Sequence, residues 1–261
     1  MKKWWGDINF ELNEAKTWRI GQRKISVQRK DAEWLISNEK TNEESFEELV
    51  LERATFTDPV IDILPQRYLV KNTQNSLIAK PLLADRSIIV RPHSALNVLP
   101  GEKIELYVSS PLWLAFYAHE GRLPISDLPF WLPSDSWFGP NTMVGELCYS
   151  KYTDAKVTLD NIQKRSHRAI TTINISNEHD EVLTIERISL PAPFLNLYVD
   201  ATHQFWTDKV CLIHHLDGDR PSFAIKNLTK ESEKTDLTLI SPAREMADEN
   251  TFMRSIRSLV A

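Results

Sequence analysis

Apolar and polar residues alternate in short runs along most of this chain, with a period of two. Ile25 and Val27 alternate with Lys24, Ser26 and Gln28. Lys30-Asp31-Ala32 then offers a turn, and Glu33-Trp34-Leu35-Ile36 resumes the run. Residues 18–36 therefore predict an antiparallel hairpin with one wet face, and Gly21 marks an earlier turn. Further runs occur at Tyr68-Leu69-Val70, 87–91 and 103–109, the last preceded by the turn signature Leu99-Pro100-Gly101-Glu102. Residues 113–117 are nearly all apolar and read as a buried strand. Ala169 to Asn177 and Val182 to Ile188 are β-branched runs joined by four polar residues, which predicts a second hairpin. Residues 195–199, 210–214, 222–226 and 237–240 continue the pattern, with Asp217-Gly218 as a turn.

Three stretches depart from it. Residues 38–58 are rich in glutamate and predict either a short helix from about Glu43 to Leu51 or an acidic excursion. Residues 121–142 hold Pro124, Pro129, Pro133 and Pro140 with Trp131, Trp137 and Phe138, and read as a loop. Its aromatic rings are expected to pin it to the body of the protein; lining a binding groove is the alternative. At the C-terminal end, Ser241-Pro242 fits a helix start, and Met246, Met253, Ile256 and Val260 share one stripe. Residues 243–260 thus predict an amphipathic helix packed on a sheet, or else one that binds a partner.

Strand spacing without regular strand–helix alternation argues against a doubly wound fold. The expectation is an all-β, mainly antiparallel protein of two packed β-sandwich-like units, residues 1–140 and 141–261. The second is expected to be immunoglobulin-like and to carry the terminal helix.

Charge and composition narrow the functional classes. The 261 residues carry 31 Lys and Arg against 36 Asp and Glu, a formal charge of −5. The acidic balance speaks against a nucleic-acid binder. Seven glycines make a glycine-built phosphate cradle a poor expectation. No apolar run approaches the roughly 20 residues of a membrane span, and no export signal follows Lys2-Lys3. Two cysteines, Cys148 and Cys211, form no disulfide framework, so a cytoplasmic location is expected. The sequons at Asn174 and Asn227 are then chance matches.

The standard nucleophile-elbow, phosphate-loop, dinucleotide and zinc motifs do not occur. The richest constellation runs from Thr202 to Arg220, with His203, His214, His215, Asp217 and Asp219. If Asp208-Lys209 closed a two-residue hairpin, His203 would face His214 at about 5 Å, a spacing at which the pair could share Zn²⁺ with a third ligand. Ordinary strand histidines are the preferred reading, because Asp-Lys is a poor two-residue turn and one slip in register destroys the pair. Cys148 and Cys211 lie in apolar runs and read as core residues. Asp217-Gly218-Asp219 is a fragment of a calcium loop and more simply a turn. Arg86, Arg91 and His93, and Lys164, Arg165, His167 and Arg168, are basic groups of the kind strand ends often expose. No cofactor is expected.

Three stretches together carry a family resemblance: Trp4-Trp5-Gly6, the hairpin from Trp18 through Ile36, and Ile173 to Asn177 running on to Leu183 through Pro191. They resemble the DUF432 family, prokaryotic proteins of unknown function. The resemblance implies no catalytic residues; it does imply an association with a membrane channel, such proteins being encoded near small mechanosensitive channels. The reading that follows is a non-enzymatic cytoplasmic binding or regulatory module with a protein partner or a second copy of itself. The alternatives are a metal-dependent hydrolase near His203 and His214, and a carbohydrate or small-ligand binder using Trp131, Trp137 and Phe138.

Overall fold

The computed structural model describes residues 3–20, 23–40, 50–54, 64–131, 134–139, 145–150, 155–216, 222–228 and 236–246. Among them the chain is nearly all β, mainly antiparallel, with no helix of seven residues or more. It divides into two compact units that are discontinuous in sequence. One comprises Met1–Leu82 and Leu112–Trp131, the other Leu83–Pro111 and Leu132–Ala261.

The first unit has two sheets. Strands Ala15–Ile20, Arg23–Arg29 and Glu33–Lys40 form the antiparallel meander that the alternation predicts, flanked by Val50–Ala54 and Gln66–Leu69. Ile25, Val27, Trp34 and Ile36 are buried while Lys24, Ser26 and Leu35 are partly open, so period two maps onto one dry face. The other sheet orders Gly6–Asn9, Ser76–Leu82, Trp113–Ala118 and Leu123–Pro129. Aromatic rings join the two sheets. Trp18 packs edge-on against Phe116 at 5.0 Å and donates its indole N–H to the Trp4 carbonyl at 3.1 Å. Phe10 meets Trp34 at 5.2 Å and Phe130 meets Trp4 at 4.9 Å.

The expected loop at 121–142 contains two strands, Leu123–Pro129 and Ser134–Phe138. Each lies at the end of its sheet. An edge strand has one side without a ladder partner, so Pro124 and Pro129 sacrifice no hydrogen bond there.

The second unit is organised by strand Arg168–Asn177. Lys103–Pro111 pairs antiparallel along its whole length, from Lys103↔Ser176 to Pro111↔Arg168. Its other side receives Phe205–Thr207 and then Lys209–His214, both parallel. The expected hairpin of 169–177 with 182–188 therefore does not form. Leu183–Ile185 pairs instead with Leu96–Val98, and Ile188–Leu190 with Ile88–Val90. Both sides of Arg168–Asn177 are already occupied, and its near-continuous burial from Ala169 to Ile173 is that of a central strand.

Asp208 stands where this sheet forks. The pairing with Arg168–Asn177 gains one residue between Trp206 and Val210, which makes a bulge at this point. Before it, Phe205–Thr207 pairs with Leu197–Val199, which continues to Thr238–Ser241. After it, Lys209–His214 forms the expected hairpin with Ser222–Lys226. The buried Asp208 carboxylate holds the fork together. It accepts hydrogen bonds from the Asn196 N–H at 2.9 Å, Asn196 Nδ2 at 2.7 Å, the Tyr198 hydroxyl at 2.8 Å and the Leu228 N–H at 3.2 Å. Around it Ile162, Ile170, Tyr198, Trp206 and Leu228 form an apolar cluster.

Ser241 ends a strand, and Ala243 to Met246 are not helical. The remainder of the expected C-terminal helix, and the Glu43–Leu49 part of the earlier one, lie outside the described residues; Val50 and Leu51 belong to a strand.

Replacing Asp208 with alanine orphans four donors at once. Urea unfolding is expected to show a loss of about 3 kcal/mol or more. Asp208→Asn should recover only part of it, because one amide end presents N–H groups to donors.

Candidate functional site

The two histidines proposed from sequence are not brought together. Asp208-Lys209 closes no hairpin, because the chain runs straight on along Arg168–Asn177. His203 lies before Phe205, near the Ala169 end of that strand, and His214 pairs at its Asn177 end. His203 has φ +63° in the tight turn 200–204. There the Asp200 carboxylate accepts bonds from Thr202, Gln204 and the Trp206 indole. Burial would raise the Asp200 carboxyl, but the bonds from Thr202, Trp206 and Gln204 outweigh it and hold it below the usual range.

His214 has a different partner. The turn after Arg168–Asn177 brings the His179 ring onto it, stacked at 4.6 Å with 17° between planes. The fully buried Asn177 organises both. Its Nδ2 donates to the carbonyls of Val98 at 2.9 Å and Glu181 at 2.8 Å. That fixes Oδ1 as an acceptor, and Oδ1 lies 3.2 Å from the His179 N–H and 3.1 Å from His214 Nδ1. His214 therefore carries its proton on Nδ1. His215, just past the end of the strand, contacts Glu178 at 3.4 Å and the Ser222 hydroxyl at 2.6 Å. Burial lowers the His214 pKa, and His179 and His215 lower it further, against the opposing pull of Glu181. Among the described residues no three His, Cys, Asp or Glu side chains are grouped to hold a metal ion. Sequence reading missed Asn177 and His179, which looked like the end of a strand and a polar connector; their only signal was an asparagine closing a β-branched run.

The aromatic residues proposed for ligand binding fall in different units. Trp131 belongs to the first unit, Trp137 and Phe138 to the second. Phe138 is buried with Ile89 and Cys148 and has the Arg187 guanidinium 5.0 Å above its ring, so it offers no open face. Trp137 is 42% exposed and pairs across the hairpin with Leu147, 46% exposed. Its indole occupies the space a side chain at Gly145 would need, 2.4 Å from the position of a Cβ there. Farther along the same face Asp135 pairs with Tyr149. Arg86 binds Asp135 at 2.9 Å and lies over the Tyr149 ring, and the Tyr149 hydroxyl donates to Asp85 at 2.7 Å.

The other singled-out groups serve the framework. Arg168 donates to the hydroxyl and carbonyl of Ser109, and burial, with Arg165 nearby, lowers its pKa to about 10. Both cysteines are buried thiols outside any disulfide, and burial, reinforced by Glu146, pushes the Cys148 thiol up to about 12.

Residues 4–259 match the model of the family described as "Protein of unknown function (DUF432)", and the chain belongs to that family. No curated protein and no solved structure matches it.

Two outcomes follow from these environments. The Cys148 thiol should resist iodoacetamide at about pH 8 in the folded protein and react once urea unfolds it, as mass spectrometry would read. Because His214 is harder to protonate folded than unfolded, the stability it contributes is complete above the ordinary value of 6.5 and declines as pH falls through its lower folded value. Urea midpoints should drop on acidification across that window, and His214→Gln should flatten the slope.

Proposed function

We propose that this protein is a non-enzymatic binding module that engages a protein partner through the outer face of the hairpin Ser134–Phe138 and Glu146–Ser150. The observation that carries the reading is the exposed cross-strand pair of Trp137 and Leu147. An exposed tryptophan seated on its own backbone makes a large apolar contact while losing little side-chain freedom on binding, and tryptophan, tyrosine and arginine are the residues that dominate interface energetics. Tyr149 and Arg86 extend the same face with polar groups already oriented by Asp85 and Asp135. Ser134–Phe138 also ends its sheet, so one side of it lies open among the described residues.

The placement of reactive groups supports a binding role. The Asp208 and Asp200 carboxylates are saturated with internal donors, and Cys148 sits in the core far from thiolate character. Two buried thiols outside any disulfide suit a reducing compartment, and the proposal puts the protein in the cytoplasm. No helix of the described residues is long and apolar enough to cross a membrane.

A photo-crosslinking residue at the exposed Asp135 of the full chain, expressed in its native host, tests this. A protein adduct is expected there and not at the exposed Val157. Trp137→Ala should reduce it at least about tenfold, as for a residue at the centre of an interface. No adduct, or equal adducts at both positions, would overturn the reading. An adduct with a second copy of the chain would identify the partner as a homodimer.

A further inference from the structure

The His179 ring makes two contacts through one atom that a single protonation state cannot satisfy. Its Nδ1 lies 3.1 Å from the Glu181 N–H, which requires a lone pair on Nδ1. The same Nδ1 lies 3.0 Å from the Asp180 carboxylate, which requires a proton there. With the ring neutral and its proton on Nε2, Nδ1 closes the turn by accepting the Glu181 amide. Once a proton from solvent occupies Nδ1, that acceptor is gone and the ring becomes the cationic partner of Asp180.

We propose that His179, stacked on His214, is a proton-operated latch on the turn joining Arg168–Asn177 to Leu183–Ile185: closed when the imidazole is neutral, released when it is protonated. The position of the turn gives the latch a reach beyond itself. Asn177 ties the turn to Val98 and Glu181, and Leu183 pairs directly with Val98. Loosening residues 178–182 therefore relaxes one end of the pair Leu183–Ile185 and Leu96–Val98.

The charges around the rings set the limits of the device. Asp180 and Glu181 come from the same turn, and Glu178 and His215 flank it. Glu102 and Lys103 start the adjoining strand segment, where the Glu102 carbonyl accepts the Asn177 N–H at 3.0 Å and Lys103 stands opposite Ser176. Ser222 contributes only a hydroxyl. The carboxylates outnumber the cations, so one added proton is accommodated. A second, on His214, would put like charges on rings 4.6 Å apart. Burial and the neighbouring histidines already resist protonation of His214, which keeps its Nδ1–H on Asn177 while His179 changes partner.

Amide hydrogen exchange of the full-length protein at about pH 7.5 and about pH 5.5, corrected for intrinsic exchange, reads the latch directly. Protection of Glu181 and its neighbours in 178–184 should fall by about fivefold at the lower pH, the worth of one hydrogen bond, while the core of Arg168–Asn177 stays unchanged. His179→Gln, which can accept the Glu181 amide but cannot be protonated, should abolish the pH response. Should that variant fail to fold, a histidine NMR titration of the wild-type protein replaces it. The Glu181 amide resonance must then move with the same midpoint as the His179 ring. Protection of 178–184 that does not change with pH, a response that persists in His179→Gln, or separate midpoints for ring and amide would overturn the proposal.

Discussion

A sheet that forks must satisfy the backbone and side-chain donors left at the branch, and in the second unit one buried carboxylate does so. Asp208 sits on the bulge where the partner of Arg168–Asn177 passes from one set of neighbours to another. One oxygen serves Asn196 twice; the other serves Tyr198 and Leu228. The branch through Leu197–Val199 and the branch through Ser222–Lys226 are thus tied to the same group. Water is displaced there by Ile162, Ile170, Trp206 and Leu228, so a donor deprived of Asp208 would have nowhere else to turn. Burial and the carboxylate together raise the Tyr198 hydroxyl's pKa, so the phenol keeps the proton that this bond needs.

The far end of Arg168–Asn177 uses the same device with a neutral group. Asn177 has no apolar packing to offer, yet it is fully buried because each of its polar atoms is engaged. The consequence is an asymmetry between the two ends. At the fork the anchor is a carboxylate that accepts four hydrogen bonds. At the turn the anchor is an amide whose neighbours are two stacked imidazoles. The strand is therefore held by a carboxylate at one end and by an amide at the other.

The distribution of strands along the chain was legible because period two is a local property. Val27 opposite Ile36, with Ile25 and Trp34 also buried, can be read from about a dozen residues, and a three-residue turn leaves little choice of partner. Partner choice over longer distances was not legible. Ala169–Asn177 looks the same whether it pairs with the next run or, as here, with Lys103–Pro111 and residues 205–214. Only its continuous burial distinguishes a central strand, and burial is not visible in an alternation of Thr and Ile. The alternative pairing of His203 with His214 depends on the same choice: it requires a hairpin at Asp208-Lys209, and the chain instead runs on in one direction, which places the two residues toward opposite ends of Arg168–Asn177. Prolines leave edge position equally open in the sequence. In 121–142 they exclude central strands and leave edge strands open, and two edge strands form there. The exposed pairing of Trp137 with Leu147 needed a strand there, and the sequence supplied the tryptophan without the strand that presents it.

What the molecule leaves at its surface is informative because the interior is so fully committed. Large rings are buried wherever a sheet face is available to bury them, as at Trp18, Trp34, Phe116, Phe138 and Phe205. Trp137 is one residue from Phe138 on the same strand, and alternation sends one ring into the core and the other outward. Reversing the two by a slip of register would bury the tryptophan and expose the phenylalanine, but it would also take Phe138 away from Ile89 and Cys148 and set Trp137 against a core built for a smaller ring. The packing that fixes Phe138 inside thus forces Trp137 out. Gly145 then gives the outward indole a seat that any side chain at that position would fill. A strand that pays for its place in the sheet with one aromatic ring presents the other to solvent, in a fixed position, on a strand at the end of its sheet; those are the physical requirements of a docking surface.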